Sequence, residues 1–473
     1  MSTTIFALAT PAGRSGVAII RISGPDAGDV LRGITQRDLP PPRVAARRKF
    51  YAAPPVDRAP RVSDSNRLDQ QREESPSPLA GEGRGEGSKV PSVMIDDGLA
   101  LWFPAPASFT GEEMAELHIH GGPAIIAAMA ESLAAQGLQP AEPGAFTRRA
   151  FDHGKLDLTE VEGLADLIAA ETEAQRRQAL RQMEGAFGAQ VETWRGGLLG
   201  ALARIEAAID FPEEDLPSGL MEGVDEAMRA VGAEIARALD DDHRGERLRE
   251  GLSVVILGAP NAGKSSLMNA LAKRDVAIVS DEAGTTRDVI ELHLDLGGYP
   301  VLLADTAGLR ESGSRIETEG VRRALARADR ADLKLIVLDG TIWPEIPEAT
   351  RTQIDAASVL VLNKADLRPA LPDGPAIAVS ALTGTGLSDL LGVLKERAAG
   401  LLASGDQPVL TRLRHREALE DCRQALARGL VIGPVELKAE ELRLASRALG
   451  RITGRVDVED VLDLIFREFC IGK

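Results

Sequence analysis

Residues 258–265 have the composition of a loop that binds phosphate groups. They read Gly-Ala-Pro-Asn-Ala-Gly-Lys-Ser and directly follow the apolar run 253–257, so a strand leads into the loop. At this spacing, backbone N–H groups bind phosphate oxygens at the N-terminus of the next helix. Lys264 is then expected to reach the β- and γ-phosphates, and the Ser265 hydroxyl to bind Mg²⁺. The motif predicts a P-loop nucleoside triphosphatase.

Three further motifs, each after an apolar strand, indicate that the nucleotide is GTP. Asp305-Thr306-Ala307-Gly308 is typical of the switch whose Asp binds Mg²⁺ through water and whose glycine N–H contacts the γ-phosphate. In Asn363-Lys364-Ala365-Asp366, the last carboxylate suits the N1–H and N2–H₂ donors of guanine, which adenine lacks. Ser380-Ala381-Leu382 fits the loop that closes over the base. These motifs, in this order, predict a GTPase.

The position that orients the attacking water is unusual. Ras-like enzymes use a Gln directly after Asp-x-x-Gly, but this chain has Leu309, which cannot form a hydrogen bond there. The side-chain oxygens of Asn261 and Thr285, with nearby loop carbonyls, could hold a monovalent cation. Such a cation would neutralise developing charge as an arginine finger does, an effect of about 10³–10⁵ in rate. Two alternatives remain open: Asn261 only shapes the turn, and Arg287 is a solvated switch residue or the finger itself. Thr286 suits a second Mg²⁺ contact.

Composition limits the class of protein. The 473 residues suffice for about three domains. The net charge of −17 disfavours nucleic acid at long range, so any such contact requires a local basic patch or a partner. Two cysteines do not make a disulfide framework, and neither a signal peptide nor an apolar membrane span is recognisable. We therefore expect a cytoplasmic protein without membrane contact.

Patterning along the chain predicts a multidomain α/β and all-α protein with an inserted Ras-like G domain. We expect an N-terminal α/β domain, a helical domain in two parts and a G domain between those parts, over residues 1–122, 123–250 with 399–473, and 251–398. The G-domain strands are predicted over 254–257, 301–304, 333–338, 359–362 and 376–379, because buried parallel strands are continuous apolar runs. Residues 54–90 are too polar and glycine-rich to bury a face, and are predicted to be a disordered insertion.

Taken together, the motifs resemble the bacterial tRNA uridine-modification GTPases of the MnmE (TrmE) family. The nucleotide motifs, the segment 284–288 (Gly-Thr-Thr-Arg-Asp) and the final Cys-Ile-Gly-Lys carry the resemblance, as do three N-terminal segments, 10–24, 108–123 and 143–158. The resemblance implies a homodimer formed through a folate-binding N-terminal domain. It also implies an FAD-dependent partner, MnmG (GidA), in a heterotetramer that modifies C5 of the tRNA wobble uridine. The product would carry an aminomethyl or carboxymethylaminomethyl group, with one carbon from 5-formyl- or 5,10-methylene-tetrahydrofolate.

The same resemblance implies roles for individual residues. K⁺ would be bound by Asn261, Ser280, Glu282 and Thr285, Mg²⁺ by Ser265 and Thr286, and the water would be oriented by Glu317, with Glu319 as its nearby competitor. Folate contacts would be Arg21, Glu116, Lys155 and Lys473. The full set expected at GTP is Asn261, Ala262, Gly263, Lys264, Ser265, Ser266, Ser280, Asp281, Glu282, Ala283, Gly284, Thr285, Thr286, Asp305, Thr306, Ala307, Gly308, Asn363, Lys364, Asp366, Ser380, Ala381 and Leu382.

Some interpretations stay open at this stage. The resemblance puts Cys470 near the folate as a catalytic or supporting thiol, although an idle tail is the simpler reading; Cys422 is expected in a helical core. His118 and His120 alternate on one strand without a third metal ligand, so they suit polar strand positions. A ribosome-assembly GTPase acting only as a binding switch is the main rival function, and a folate-dependent methyltransferase with a regulatory G domain is a second.

Overall fold

The computed structural model describes residues 3–11, 13–52, 93–210, 220–278, 291–305, 330–368, 375–403, 410–456, 459–467, 469 and 472. Its strands are β1 (Ile5–Leu8), β2 (Ser15–Ser23), β3 (Ala46–Tyr51), β4 (Met94–Phe103), β5 (Met114–Gly121), β6 (Gln139–Pro140), β7 (Leu252–Leu257), β8 (Glu291–Asp295), β9 (Pro300–Asp305), β10 (Leu333–Asp339), β11 (Ser358–Asn363) and β12 (Ile377–Ala378). Its α-helices are α1 (Ala27–Thr35), α2 (Pro123–Ala135), α3 (Ala145–Asp152), α4 (Leu158–Ala169), α5 (Glu173–Met183), α6 (Ala186–Asp210), α7 (Leu220–Leu239), α8 (Arg244–Glu250), α9 (Lys264–Ala272), α10 (Glu348–Arg351), α11 (Leu387–Leu402), α12 (Leu413–Val431), α13 (Val435–Thr453) and α14 (Glu459–Arg467).

The first of two compact units comprises Met1–Leu156 together with Glu459–Lys473. Its sheet has the order β3-β4-β5-β2-β1-β6, antiparallel except for the parallel pair β1 and β6. Alternate residues of β2 and β5, such as Ile20, Ile22 and Leu117, are buried in a core that also includes residues of α1 and α2. This alternation leaves the opposite face to polar side chains, where Arg21 on β2 lies directly across from Glu116 on β5.

The boundaries of this unit differ from the prediction at both ends. We expected helical residues from 123 onward to belong to the helical domain, yet β6 pairs with β1 and α2 packs against β5. The unit therefore extends to Leu156. The segment from Glu459 also belongs here, because Phe466 packs against Phe151 and Arg148 forms an ion pair with Asp463. Helical periodicity shows that a face is apolar, but it does not show which core receives that face.

The second unit comprises Asp157–Val458 and contains a helical bundle interrupted in sequence, as predicted. Helices α6, α7, α12 and α13 share one apolar core, in which Trp194, Leu198, Met228, Leu419 and Leu442 are buried. Before the bundle, α4 and α5 each begin with a capping box, in which Asp157 pairs with Glu160 and Thr172 with Gln175. The prediction that Cys422 lies in this core is confirmed, and burial raises the pKa of its thiol to about 12.

The G domain of this unit is a doubly covered sheet in the order β12-β11-β10-β7-β9-β8. The strands are parallel except for β8, which runs antiparallel to β9 at the edge. Apolar clusters cover both faces of the sheet, as the continuous apolar runs predicted. The edge strand β8 was not predicted; its sequence Glu-Leu-His-Leu-Asp alternates polar and apolar residues, as a strand with one covered face does. The predicted combination of α/β and helical domains with a Ras-like insertion is otherwise confirmed.

Candidate functional site

The P-loop after β7 depends on backbone conformations that a side chain would disturb. Gly258 and Gly263 have φ values of +146° and +92°, and a Cβ atom at either position would collide with Val337 or Asn363 respectively. Asn261 has φ of +64°, in the left-handed region that Asn tolerates better than most residues. Asn261 and Ser266 are exposed, whereas Ala262 is buried beneath the loop. The loop conformation therefore requires both glycines, and Asn261 contributes to the turn.

Charged and hydroxyl groups gather at the end of this loop. The Lys264 ammonium donates to the carbonyls of Gly258 and Ala259, each at 3.0 Å. The Ser265 hydroxyl donates to Oδ2 of Asp305 at 2.8 Å. The sequence assigned both of these oxygen-bearing side chains to Mg²⁺. The fold brings them into contact because Ser265 lies in the first turn of α9, after the loop that follows β7, and Asp305 ends the adjacent strand β9. A hydroxyl beside a carboxylate is a donor set suited to this hard cation.

Asn363 joins the phosphate loop to the base loop. Its Nδ2 donates to the Ala262 carbonyl at 2.9 Å, and its Oδ1 accepts from the Ala381 N–H at 3.1 Å. The side chain is 2% exposed. These two bonds fix the phosphate loop and the base loop relative to each other. The side-chain amide of Asn363 therefore positions both loops.

The expected guanine acceptor is held in place by the next loop. The buried Ser380 hydroxyl donates to Oδ1 of the exposed Asp366 at 2.5 Å and accepts from the Thr383 N–H at 3.1 Å. One carboxylate oxygen is thus engaged by the protein while the group remains exposed. Leu382 is 86% exposed at the tip of the same loop. The structure therefore brings together the sequence-predicted residues of the base-binding region.

A further residue of this region, Asp339, was not predicted. It ends β10, and its Oδ2 accepts from the Lys364 ammonium at 2.7 Å. Burial raises the pKa of Asp339, but hydrogen bonds from Lys364 and Thr341 outweigh burial and leave that pKa below its ordinary value. Because Lys364 has φ of +66°, this bond also fixes a backbone position that few non-glycine residues adopt. An Asp at the carboxyl end of a neighbouring strand is the signal that would have found it.

In the N-terminal unit, the expected folate residues Arg21 and Glu116 contact each other. Nε and Nη2 of Arg21 donate to Oε1 of Glu116 at 3.0 and 2.9 Å, and Nη1 donates to the Gly472 carbonyl at 3.2 Å. The Arg21 guanidinium also lies 6.0 and 5.8 Å from the ring centres of Phe109 and Phe146. Arg21 is thus enclosed by a carboxylate, a carbonyl and two aromatic rings.

The third expected folate residue, Lys155, lies at the edge of a separate hollow. Its ammonium donates to the Pro106 carbonyl at 2.9 Å. A cavity of about 520 Å³ is lined by Arg43, Phe103, Ala107, Ser108, Phe109 and Lys155. Phe109 also lies beside Arg21, so one aromatic side chain connects the ion pair with the cavity.

The two strand histidines have different surroundings. The backbone N–H of His120 donates to Oδ2 of Asp96 at 2.7 Å, and its Nδ1 lies 2.8 Å from Oδ1 of the same carboxylate. Nε2 of His118 lies 3.6 Å from Oε2 of Glu116. In the part of the chain that the structure describes, no group of three metal-binding side chains includes them. None of the described helices is long and apolar enough to cross a bilayer.

Several predicted site residues lie outside the described residues. They include Cys470, Lys473 and the insertion 54–90, and from the G domain Ser280, Asp281, Glu282, Ala283, Gly284, Thr285, Thr286, Thr306, Ala307, Gly308 and Glu317.

The start of α12 forms a polar cluster that sequence reasoning missed, here called the α12 clasp (Thr411, Arg412, Arg414, His415 and Arg416). The carboxylate of Glu162 on α4 is fully buried and accepts from Arg414 at 2.6 and 2.7 Å and from Nε2 of His415 at 2.8 Å. The clasp makes further contacts with Gln182, Asp166, Leu239, Asp241 and Glu246. It connects the chain leaving the G domain to several helices of the first helical segment.

The two charged groups at the centre of the clasp have altered acidities. Burial raises the pKa of Glu162, but the Arg414 charge and the hydrogen bonds from His415 and Arg414 outweigh burial and place that pKa far below its ordinary value. Burial lowers the pKa of His415, and Arg414 and Arg412 lower it further against the attraction of Glu162. Glu162 is therefore ionised, and His415 is neutral and donates its Nε2–H.

The described P-loop, the Ser265–Asp305 pair and the Asn-Lys-x-Asp frame closed by Ser380 define a guanine-nucleotide-binding P-loop protein. A family model for the "GTP-binding protein TrmE N-terminus" matches residues 4–155, and one for the "MnmE helical domain" matches residues 158–470. The tRNA modification GTPase MnmE of Paramagnetospirillum magneticum is 51% identical over 100% of both chains. That of Parvibaculum lavamentivorans is 53% identical over 99% of this chain and 100% of its own. This chain belongs to the MnmE family of tRNA modification GTPases.

A solved G domain gives a weaker likeness. The G domain of the T. maritima FeoB iron transporter is 26% identical over 31% of this chain and 98% of its own, with a TM-score of 0.24. Family membership rests on the full-length relatives and not on this likeness.

Proposed function

We propose that this chain is a K⁺-stimulated GTPase that drives modification of the tRNA wobble uridine in the cytoplasm. It would act as a homodimer with an FAD-dependent partner of the MnmG (GidA) type and a tetrahydrofolate one-carbon unit. One observation carries the proposal: Asp366 is presented by Ser380 in a guanine-type frame, in a chain related over its full length to named tRNA modification GTPases.

The phosphate end of the site suits GTP hydrolysis assisted by Mg²⁺. Lys264 is held by two loop carbonyls, and the phosphate oxygens of GTP would replace those acceptors with stronger, charged ones. Ser265 and Asp305, joined at 2.8 Å, would hold Mg²⁺ directly and through water. When bound, this ion neutralises negative charge that develops on the phosphate oxygens. Thr286 is proposed as the second protein contact.

The proposed source of K⁺ dependence is the exposed tip of the P-loop. Asn261 has an amide side chain at this tip, and an amide oxygen is a suitable ligand for a hard monovalent cation. Ser280, Glu282 and Thr285 would complete the set, and Glu317 would orient the water in place of the missing Gln. K⁺ should therefore accelerate turnover strongly over Na⁺, and Glu317→Ala should abolish hydrolysis while GTP still binds. Glu319→Ala tests the competing acid, and loss of hydrolysis in that variant alone would move the water-orienting role to Glu319. Equal rates in the two salts would refute the cation site.

The N-terminal ion pair changes the division of roles proposed for folate. Because the Arg21 guanidinium donates two hydrogen bonds to Glu116, we propose that Arg21 positions the Glu116 carboxylate. Glu116 would then accept from the donor edge of the pterin ring, and Lys155 with Lys473 would attract the carboxylate tail. Cys470 is proposed as a thiol that supports the modification chemistry. Titration of 5-formyl-tetrahydrofolate should show weaker binding for Glu116→Gln, and also for Arg21→Gln if its role is positioning.

The cellular test uses mass analysis of tRNA nucleosides from a deletion strain. Loss of the carboxymethylaminomethyl or aminomethyl group, restored by the wild-type gene but not by the Glu317→Ala variant, would support the proposal. Unchanged wobble uridines with defective ribosomal subunits would instead favour a ribosome-assembly switch.

A further inference from the structure

The edge strand β3 and the end of α1 enclose a hollow rich in positive charge. A cavity of about 330 Å³ is lined by Thr35, Gln36, Arg37, Arg47, Arg48, Lys49, Tyr51 and Asp97. We call the four cations Arg37, Arg47, Arg48 and Lys49 the β3 basic surface. Arg37, Arg47 and Lys49 are exposed, and Arg48 is half-buried.

This surface is exceptional in an acidic chain. Residues 1–52 contain eight lysines and arginines against three aspartates, a net charge of +5, whereas the whole chain carries −17. A polyanion is repelled by most of such a protein and is attracted where basic groups cluster. In an acidic chain, contact with nucleic acid depends on a local basic patch or on a partner, and the residues around β3 form such a patch.

The acids near the surface neutralise only part of it. Asp97 accepts from Nε and Nη2 of Arg47 at 3.0 and 2.9 Å and also attracts Lys49. These contacts are exposed, so water and salt weaken them. Nε of Arg48 has no hydrogen-bond acceptor among the described residues. Because this Nε is itself buried, an incoming oxygen can reach only the exposed part of the half-buried guanidinium, whose Nη1 donates to the Arg47 carbonyl at 3.0 Å.

We propose that the β3 basic surface binds the phosphate backbone of tRNA. This inference rests on the proposed function, since it names the part of this chain that contacts the substrate. Arginine and lysine side chains around a hollow match the spaced anionic oxygens of a ribose–phosphate chain, and Tyr51 at its rim offers an additional polar contact. A second copy of the same surface is a poor occupant, because a symmetric contact would oppose like charges.

The test measures binding of fluorescently labelled tRNA to the full-length chain as a function of KCl concentration. Arg37→Gln with Lys49→Gln removes two exposed charges, and adding Arg48→Gln removes a third. Each lost phosphate contact should reduce the slope of log affinity against log salt by about 0.7–0.9. The triple variant should thus lose about 2.1–2.7 units of slope and bind at least roughly tenfold more weakly at low salt.

The matched control removes three exposed arginines elsewhere, Arg176, Arg229 and Arg423, with the same change in net charge. Melting temperatures and GTPase rates monitor folding, and the double variant retains the half-buried Arg48. Unchanged tRNA binding, or equal weakening by the control set, would overturn the inference. The inference would also be overturned if the triple variant only changed the chain from dimer to monomer. It would be overturned as well if the variant lost binding to an acidic protein while its tRNA binding was unchanged. If the wild-type chain bound no tRNA yet restored modified uridines in cells, the inference would fail and the proposed function would stand.

Discussion

The nucleotide frame (Lys264, Asn363, Asp366 and Ser380) and the α12 clasp both use charged side chains, but they differ in how completely the protein's own groups pair those charges. In the frame, Lys264 rests on two carbonyls and Asp366 has one oxygen engaged while remaining exposed. A ligand can exchange such contacts for better ones. In the clasp, both oxygens of Glu162 are occupied, by the half-buried Arg414 and the fully buried His415. A site that serves a ligand retains exchangeable partners, whereas a cluster that serves the fold satisfies its members internally.

The largest effect should come from breaking the clasp. Glu162→Ala leaves the Arg414 guanidinium without its buried counter-charge and the Nε2–H of His415 without its acceptor, so we expect the free energy of unfolding to fall by about 3–5 kcal/mol. Urea denaturation followed by circular dichroism measures this change. Glu420→Ala is the control, because Glu420 pairs with Arg423 at an exposed site and should change stability by less than about 1 kcal/mol. Similar losses in both variants would contradict a special role for the clasp.

Asp366→Asn should break the frame with little effect on the fold. The variant loses two charge-assisted hydrogen bonds to guanine, each of about 1.5–3 kcal/mol, so GTP should bind at least about 100-fold more weakly. Xanthosine triphosphate, which carries a carbonyl at C2, should gain affinity from the new amide donor. Titration calorimetry with both nucleotides measures the two changes in affinity. A parallel loss for both nucleotides, or a lower melting temperature, would show that Asp366 is structural.

The clasp should also make the stability of the folded chain depend on pH. The pKa of His415 is lowered in the folded chain, so its neutral form contributes stability above the unfolded pKa of about 6.5. That contribution is lost as pH falls below this value, because the unfolded chain then binds the proton more readily. Melting temperature should fall between pH 7.5 and 5.5, and the fall should be smaller in His415→Gln. An unchanged slope would assign the pH dependence to other groups.

The smallest effect tests how the frame presents its carboxylate. Ser380→Ala removes one hydrogen bond to Asp366, and we expect GTP affinity to fall by about 1 kcal/mol, or roughly fivefold. Thr352→Ala is the control, since Thr352 is exposed and bonds only to a nearby carbonyl among the described residues. Equal GTP affinities in Ser380→Ala and wild type would mean that Asp366 needs no support from the closing loop.

Sequence predicted the frame better than the clasp for a physical reason. Each frame residue belongs to a local motif at the end of an apolar strand, and parallel strands bring their carboxyl ends together. Glu162 and His415 are far apart in sequence, and each alone is typical of a solvated helix surface. Their pairing follows from helix packing that local patterns do not encode. The strand β8 and the unit boundary at Leu156 were missed on similar grounds, since both depend on which neighbour receives an element.

The bonds of Asn363 to both loops have a thermodynamic consequence for nucleotide fragments. The hydrogen bonds of Asn363 fix the separation of the two loops when the chain folds. Binding of the base or of the diphosphate therefore does not have to order these loops. Guanosine should then change the affinity for pyrophosphate very little, and pyrophosphate should change the affinity for guanosine very little. In an Asn363→Ala variant each fragment should assist the other, because whichever binds first would order the loop that the second requires.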